Sequence, residues 1–212
     1  TGSAQDNNLH FWDLKSDKPT YTLDLKAKCV NLAVGGNIAY VATTDKIYKI
    51  DLSQSPKQLQ EIPTKLKCPI TCITCTNDGK GYVAGGAYGI IEANLNGTGG
   101  NLIPCHREEN NGSIDVYQSN SVAIAQFGNK KVIISGGGDG NCEYFNGDTL
   151  TQTSKRKISN KGYPITAICS VPNQKFYATA TGYDWSKGAE VYNNGAQLVE
   201  MIIHNLSTKE LG

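Results

Sequence analysis

The chain has 212 residues and a formal net charge of +1, so it has no global field to draw it onto nucleic acid or an anionic membrane. No window approaches the roughly 18 consecutive apolar residues of a membrane span. With 23 Gly, 11 Tyr and a single Met, the composition suits an all-β chain with many tight turns. The seven cysteines are odd in number and scattered through apolar runs, which argues against a disulfide framework and for a reducing compartment, nucleus or cytosol.

Taken in order, the chain repeats itself. Thr1-Gly2-Ser3 reads as the small-residue close of an inner strand, and Phe11-Trp12-Asp13-Leu14 as a strand ending in a Trp-Asp corner. Weaker corners follow at Lys49–Leu52, Glu92–Leu95, Tyr144–Gly147 and Val191–Asn194. Marked at Asp13, Asp51, Asn94, Asn146 and Asn193, the spacings are 38, 43, 52 and 47 residues. A four-stranded propeller blade takes about 40–45 residues.

Each period has the same grammar. An apolar strand (Val30–Val34, Ile70–Cys75, Val122–Phe127, Ile165–Val171) leads into a turn of Gly, Asn, Asp or Pro. A strand closing on small residues follows: Tyr40–Thr44, Tyr82–Gly86, Ile133–Gly137 and Tyr177–Thr181. The expectation is that small residues are wanted there because these strands converge near the propeller axis. A third strand ends in the corner and a more polar outer strand completes the blade. No helix-period segment intervenes.

The pattern predicts an all-β WD40 β-propeller, the last four to five blades of a seven-bladed ring. Full blades are expected at 20–52, 57–95, 101–147 and 150–194, with partial pieces at 1–14 and 195–212.

Chemistry is sparse. His10, His106 and His204 stand without a second histidine or a carboxylate at metal-ligand spacing, and read as solvated or structural residues. Cys72 and Cys75 fall on opposite faces of one strand, so they cannot grip one ion, and read as buried small hydrophobes. Gly136–Gly140 precedes a strand and not a helix, which makes it a hairpin turn and not a phosphate cradle. No catalytic residue, metal site, cofactor or small-molecule substrate is expected, and the chain reads as a holder of partners.

Two places are candidate contacts. Tyr183-Asp184-Trp185-Ser186-Lys187-Gly188 puts a tryptophan in a polar turn beside a cation, which suits stacking on a nucleobase or anchoring a protein segment. Cys105-His106-Arg107 opens the longest insertion, a loop in which Glu108 and Glu109 offset Arg107. The run Lys155-Arg156-Lys157, with Lys161, reads as a solvated outer strand able to assist nucleic-acid binding.

On these residues the sequence resembles the poly(A)+ RNA export family of WD40 propellers. The shared features are Thr1-Gly2-Ser3 with Leu9–Asp13, Cys105–Arg107 followed by Asp115-Val116-Tyr117, and Tyr183–Gly188 with Glu190, Tyr192 and Asn193. A sister family, the spindle-checkpoint propeller that binds kinetochore kinases, shares Cys-His-Arg but lacks the Trp-Ser-Lys run. The resemblance implies a non-enzymatic adaptor of the nucleus and nuclear pore that shuttles to the cytoplasm. It would bind a nucleoporin GLEBS segment and RNA or mRNA–protein particles, and no membrane. Trp185 would stack or anchor, and Lys187 would meet a phosphate or acidic residue, with Tyr183, Asp184, His106 and Arg107 beside them. This chain departs at Thr71 and Ile90, where the family carries basic residues that read the acidic pair of the GLEBS segment. It departs again at Cys142, where relatives carry an aromatic next to the Trp-Ser-Lys surface.

Overall fold

Period-two alternation decides how the strands are buried. In the strand Tyr82–Gly86, Tyr82 and Ala84 point into one apolar cluster while Val83 points into another. Val132 and Ile134 likewise enter one cluster and Ile133 a second, and Tyr40 and Ala42 part from Ala39 and Val41 in the same way. Such strands are covered on both faces, which is why they read as unbroken small and apolar runs.

The computed structural model describes residues 6–54, 59–97, 99–158, 162–186, 188–189 and 199–211. Its strands form antiparallel meanders in chain order. A two-stranded sheet, β1 (Asn8–Phe11) with β2 (Tyr21–Asp24), comes first. A sheet of β3 (Cys29–Gly35), β4 (Ile38–Thr43), β5 (Ile47–Asp51) and β6 (Gln60–Ile62) follows. The third sheet is β7 (Ile70–Cys75), β8 (Tyr82–Gly86), β9 (Ile90–Asn94) and β10 (Asn101–Pro104). A separate ribbon of β11 (Arg107–Asn110) and β12 (Ser113–Val116) precedes the next sheet. That sheet is β13 (Ser119–Phe127), β14 (Lys130–Gly137), β15 (Asn141–Asn146) and β16 (Gln152–Lys157). The last is β17 (Ile165–Ser170), β18 (Phe176–Thr181) and β19 (Glu200–Asn205). No helix among the described residues is long and apolar enough to cross a membrane.

Each apolar cluster lies between successive sheets. Leu9, Leu23 and Leu25 meet Val41 and Ile50, and Tyr40 and Ile47 meet Ile73 and Tyr82. Val83 and Ile91 meet Val122, Ile133 and Phe145, while Ile134 and Tyr144 meet Ile165 and Tyr177. The strands that gather side by side across sheets are the first of each, β3 against β7, β7 against β13 and β13 against β17. The small residues of the second strands therefore need a different reason from crowding at an axis: they lie under a neighbouring sheet. A β-carbon on Gly136 would stand 2.5 Å from Ile165, and one on Gly85 2.8 Å from the Ser119 hydroxyl. On the far face of the last sheet the side chains are uncovered, with Met201 at 78% and Ile203 at 72% exposure.

The hairpin turns between first and second strands use one left-handed residue each: Gly36, Gly79, Gly128 and Asn173, with φ between 53° and 69°. Glycine adopts that region without a steric penalty and asparagine with a small one. Gly136–Gly140 closes the turn from β14 to β15, where the Gly140 amide donates to the Gly137 carbonyl at 3.1 Å.

The insertion after β10 is a β-ribbon and not a loose loop, and its Glu108 faces Asn141 (3.2 Å) and Lys155 (3.9 Å) instead of Arg107. The expected strand end at Val191–Asn194, and Thr1–Ser3, lie outside the described residues. The strand that pairs with β18 on its far side is β19, with Thr179 opposite Ile202. Cys72 lies in the cluster behind Val83, whereas Cys75 packs in the one with Tyr82, on the other side of the sheet.

A candidate binding groove

Tyr117 and Tyr163 occupy equivalent places, each two residues before the first strand of its sheet. That position puts both at the end of the sheets where β14 turns into β15 and where β18 runs out into Tyr183-Asp184-Trp185-Ser186. Between them opens a groove of about 670 Å³. One side is formed by Tyr117 and Gln118, with Gly138 at the β14–β15 turn. Lys157, at the end of β16, and Tyr163 and Pro164, ahead of β17, form the middle, and Tyr183 to Ser186 form the other side.

Trp185 is 57% exposed and stands in the left-handed region at φ 62°, costly for a bulky side chain. The turn enforces it. The Asp184 carboxylate accepts from the Ser186 amide at 3.1 Å, and the Gly188 amide donates to the Trp185 carbonyl at 3.0 Å. Tyr183 donates its hydroxyl to the Gly188 carbonyl at 2.6 Å, and its ring centroid lies 5.4 Å from that of Trp185. Lys187, Glu190, Tyr192 and Asn193 lie outside the described residues.

Beneath the groove lies a polar network that sequence spacing concealed. His106 is wholly buried at φ 48°. Its Nδ1 lies 2.9 Å from Asp139, its Nε2 2.8 Å from the Ser135 hydroxyl, and Ser135 lies 2.8 Å from the Ser119 hydroxyl. Burial works to raise the Asp139 carboxyl, but hydrogen bonding and charge from His106, together with bonds from Asn141, outweigh it and hold the group at about 2. An ionised Asp139 accepts, so Nδ1 carries the proton between them, and Nε2 shares a hydrogen bond with the Ser135 hydroxyl.

His106 also fixes the groove wall through its backbone. Its carbonyl accepts from the Tyr117 amide at 2.9 Å, and its amide donates to Glu143 at 3.1 Å. The expected surface contact through His106 is therefore replaced by support from below, because its ring has no exposure to offer. Although no carboxylate lies at metal-ligand spacing in sequence, Asp139 and Glu143 reach it from positions 33 and 37 residues away.

Ser135, His106 and Asp139 stand in the order of nucleophile, base and orienting acid, yet Ser135 and His106 are fully buried with no approach for a substrate. His106, Asp139 and Glu143 each bring a ligand atom within 4.8 Å of the others. Lys155 supplies the positive charge there, its ammonium 3.2 Å from Glu143 and 3.4 Å from Asp139. Burial opposes that ammonium, but its bonds and proximity to the two carboxylates raise its pKa. The donor set is thus occupied by lysine and does not fit a metal ion.

The remaining expected positions divide. Arg107 is exposed at the ribbon's start, and its Nε donates to the Gly89 carbonyl at 3.4 Å. Thr71 donates its hydroxyl to the Ser119 carbonyl at 2.5 Å, and Ile90 packs against the cluster around Tyr82. Neither offers a cation. Cys142 is wholly buried beside Tyr144 and Ile165, so it does not share the groove surface, and burial pushes its thiol far up. Of the basic run, Lys155 serves the buried network, Arg156 lies 4.0 Å from Glu210, and Lys157 reaches the groove. Sequence reasoning missed Gln118 and Tyr163, and had Tyr117 only within a family motif and Lys157 only within a basic run; the available signal was the aromatic recurring just ahead of two first strands.

No family model matches the chain. Among curated proteins it is 30% identical to protein Rae1 of Drosophila melanogaster, over 91% of this chain and 57% of that one. It is 29% identical to the poly(A)+ RNA export protein of Schizosaccharomyces pombe, over 100% of this chain and 60% of that one. An mRNA export factor of Danio rerio is 30% identical over 84% of this chain and 51% of its own length. The chain thus spans somewhat over half the length of the first two. Among solved structures, a chain of a mitotic checkpoint complex superposes with a TM-score of 0.65 at 15% identity, over 84% of this chain and 52% of that one. A computationally designed protein, Ika4, superposes with a TM-score of 0.56 at 15% identity, over 86% of this chain and 93% of its own. The strand order, the interlocked sheets and these relatives together make the chain a WD40-type β-propeller chain related to the Rae1 and poly(A)+ RNA export proteins.

Proposed function

We propose that the chain acts without catalysis as an adaptor in nuclear mRNA export, working in the nucleus and at the nuclear pore. The groove beside Trp185 is its contact for RNA or mRNA–protein particles. The observation that carries this reading is Trp185 itself, held outward in a costly backbone conformation at the mouth of a groove with Tyr117, Tyr163 and Lys157. Flat aromatic faces accept any base by stacking, and a lysine at the rim meets phosphate. The names of the relatives support the process.

A nucleoporin segment is the second proposed partner. Thr71 and Ile90 carry no charge, and exposed Arg107 is the cation proposed to meet an acidic segment.

The test is binding of single-stranded oligoadenylate and of a GLEBS peptide, wild type against Trp185→Ala and Lys187→Glu. Loss of one stacked base costs about 1–3 kcal/mol, so Trp185→Ala should weaken RNA binding by about fivefold or more. Lys187→Glu should flatten the salt dependence. If neither change alters either interaction, this surface is not the contact.

A further inference from the structure

Asn120 lies outside the groove lining but connects its two sides. It sits at an irregularity of the β13–β14 ladder, where Ser119 pairs with Gly137 and Ser121 with Gly136, leaving Asn120 without a ladder partner of its own. Its side chain is thereby released to bond elsewhere. The Asn120 amide nitrogen donates to the Ile165 carbonyl of the neighbouring sheet at 3.0 Å and to Asp184 Oδ2, in the turn that follows β18, at 3.2 Å. Its oxygen accepts from Gln118 Nε2 at 2.9 Å. One orientation of the amide satisfies all three partners, because the flipped form would turn its oxygen toward a carbonyl and a carboxylate.

The chain of bonds continues into the turn. Asp184 Oδ2 takes the Asn120 proton while Oδ1 takes the Ser186 amide, and Trp185 lies between them in sequence at φ 62°. Gln118, Asn120 and Asp184 thus tie the Tyr117 side of the groove to the Trp185 side across the boundary between two sheets. Among the described residues, this bond is the polar contact by which Asp184 anchors the turn to β13.

We infer that Asn120 is the positioning residue of the groove: through Asp184 it sets the outward pose of Trp185, and partner affinity depends on it although it touches no partner. This rests on the proposed role of the groove. It also predicts something about the free protein, namely that the environment of Trp185 is set from β13.

The experiment uses Trp12→Phe as background, leaving Trp185 as the sole tryptophan, with Asn120→Ala, Asn120→Asp and the exchange pair Asn120→Asp with Asp184→Asn. Acrylamide quenching and anisotropy of Trp185 are read in the free chain, melting temperature is read alongside, and oligoadenylate is the binding probe. Asn120→Asp should do most damage, since it removes the donor and sets a second carboxylate against Asp184. It should change Trp185 quenching and weaken oligoadenylate binding about tenfold or more while the chain still melts cooperatively. The exchange pair restores donor and acceptor in reversed order and should recover most of both signals.

If Trp185 quenching is the same in all three variants as in the background, the inference is overturned, whatever happens to binding. If the exchange pair recovers nothing relative to Asn120→Asp, the Asn120–Asp184 bond is not the link and the inference likewise fails. If the background chain binds no oligoadenylate while quenching still follows Asn120, the RNA reading of the groove falls and the positioning role stands.

Discussion

Gly137 lies directly against the His106 ring: a β-carbon on Gly137 would stand 2.4 Å from both Cγ and Nδ1 of the imidazole, and 2.8 Å from Asp139 Oδ1. Backbone and ring are thus in contact where the buried network meets the groove floor. Gly137→Ala should displace His106, cost about 1–3 kcal/mol in a denaturant melt, and loosen Tyr117, whose amide bonds to the His106 carbonyl. A melt unchanged within about 0.5 kcal/mol would show that the ring moves aside freely.

Asp139 makes stability depend on acid. Its carboxyl is held down from 3.8 to about 2 in the folded chain. A depressed carboxylate contributes stability above its unfolded value, so the contribution is complete above about pH 4 and is lost as pH falls through about 2. It amounts to roughly 2 kcal/mol. Urea melts across that window should show the loss in the wild type and a flatter profile in Asp139→Asn, which starts less stable at neutral pH. Equal slopes in the two proteins would assign the acid sensitivity elsewhere.

The alternation that made the strands readable is the reason both faces of β4, β8 and β14 were legible as apolar runs. It also separated Cys72 from Cys75 correctly, because one residue's shift in a strand is a change of sheet face. Trp185 was legible because a tryptophan among Asp, Ser and Lys has no apolar neighbours to pack it inward. His106 was not, since its partners are Ser135 and Asp139 on and beyond another strand, and no local spacing records a contact closed over some thirty residues. Glu92 was missed for the same reason. It stands in a degenerate Trp-Asp corner, yet its buried carboxylate accepts from Thr64 (2.5 Å), the Lys65 amide (2.8 Å) and Tyr82 (3.0 Å).

Thiol accessibility should separate the cysteines. Cys72 and Cys142 are buried and burial raises both thiols, that of Cys72 to about 11; Cys105 is buried and raised as well. Cys169 is exposed. Iodoacetamide at neutral pH, followed by peptide mass spectrometry, should modify Cys169 first and spare Cys72, Cys105 and Cys142 until denaturant is added. Early modification of Cys105 would contradict the packing between the third and fourth sheets.

Tyr144 and Tyr177 share a hydrogen bond between buried hydroxyls, and Tyr177 stacks on His204 with centroids 4.9 Å apart. Tyr144→Phe should cost about 1–3 kcal/mol because the Tyr177 hydroxyl loses its partner. Adding Tyr177→Phe should cost less than the two single changes summed, which a double-mutant cycle of melts measures. Strict additivity would mean the hydroxyls do not bond.

The interleaving of the sheets has a kinetic face. A strand clamped between two neighbours opens to solvent only when one whole interface parts, whereas β19, with Met201 and Ile203 uncovered, pairs among the described residues with β18 alone and detaches more readily. Amide protons should therefore exchange in a graded order along the chain, slowest in β8 and β14 and fastest in β19. The groove's Trp185 side, carried on the exit from β18, belongs to that faster-opening unit, while its Tyr117 side belongs to the slow one.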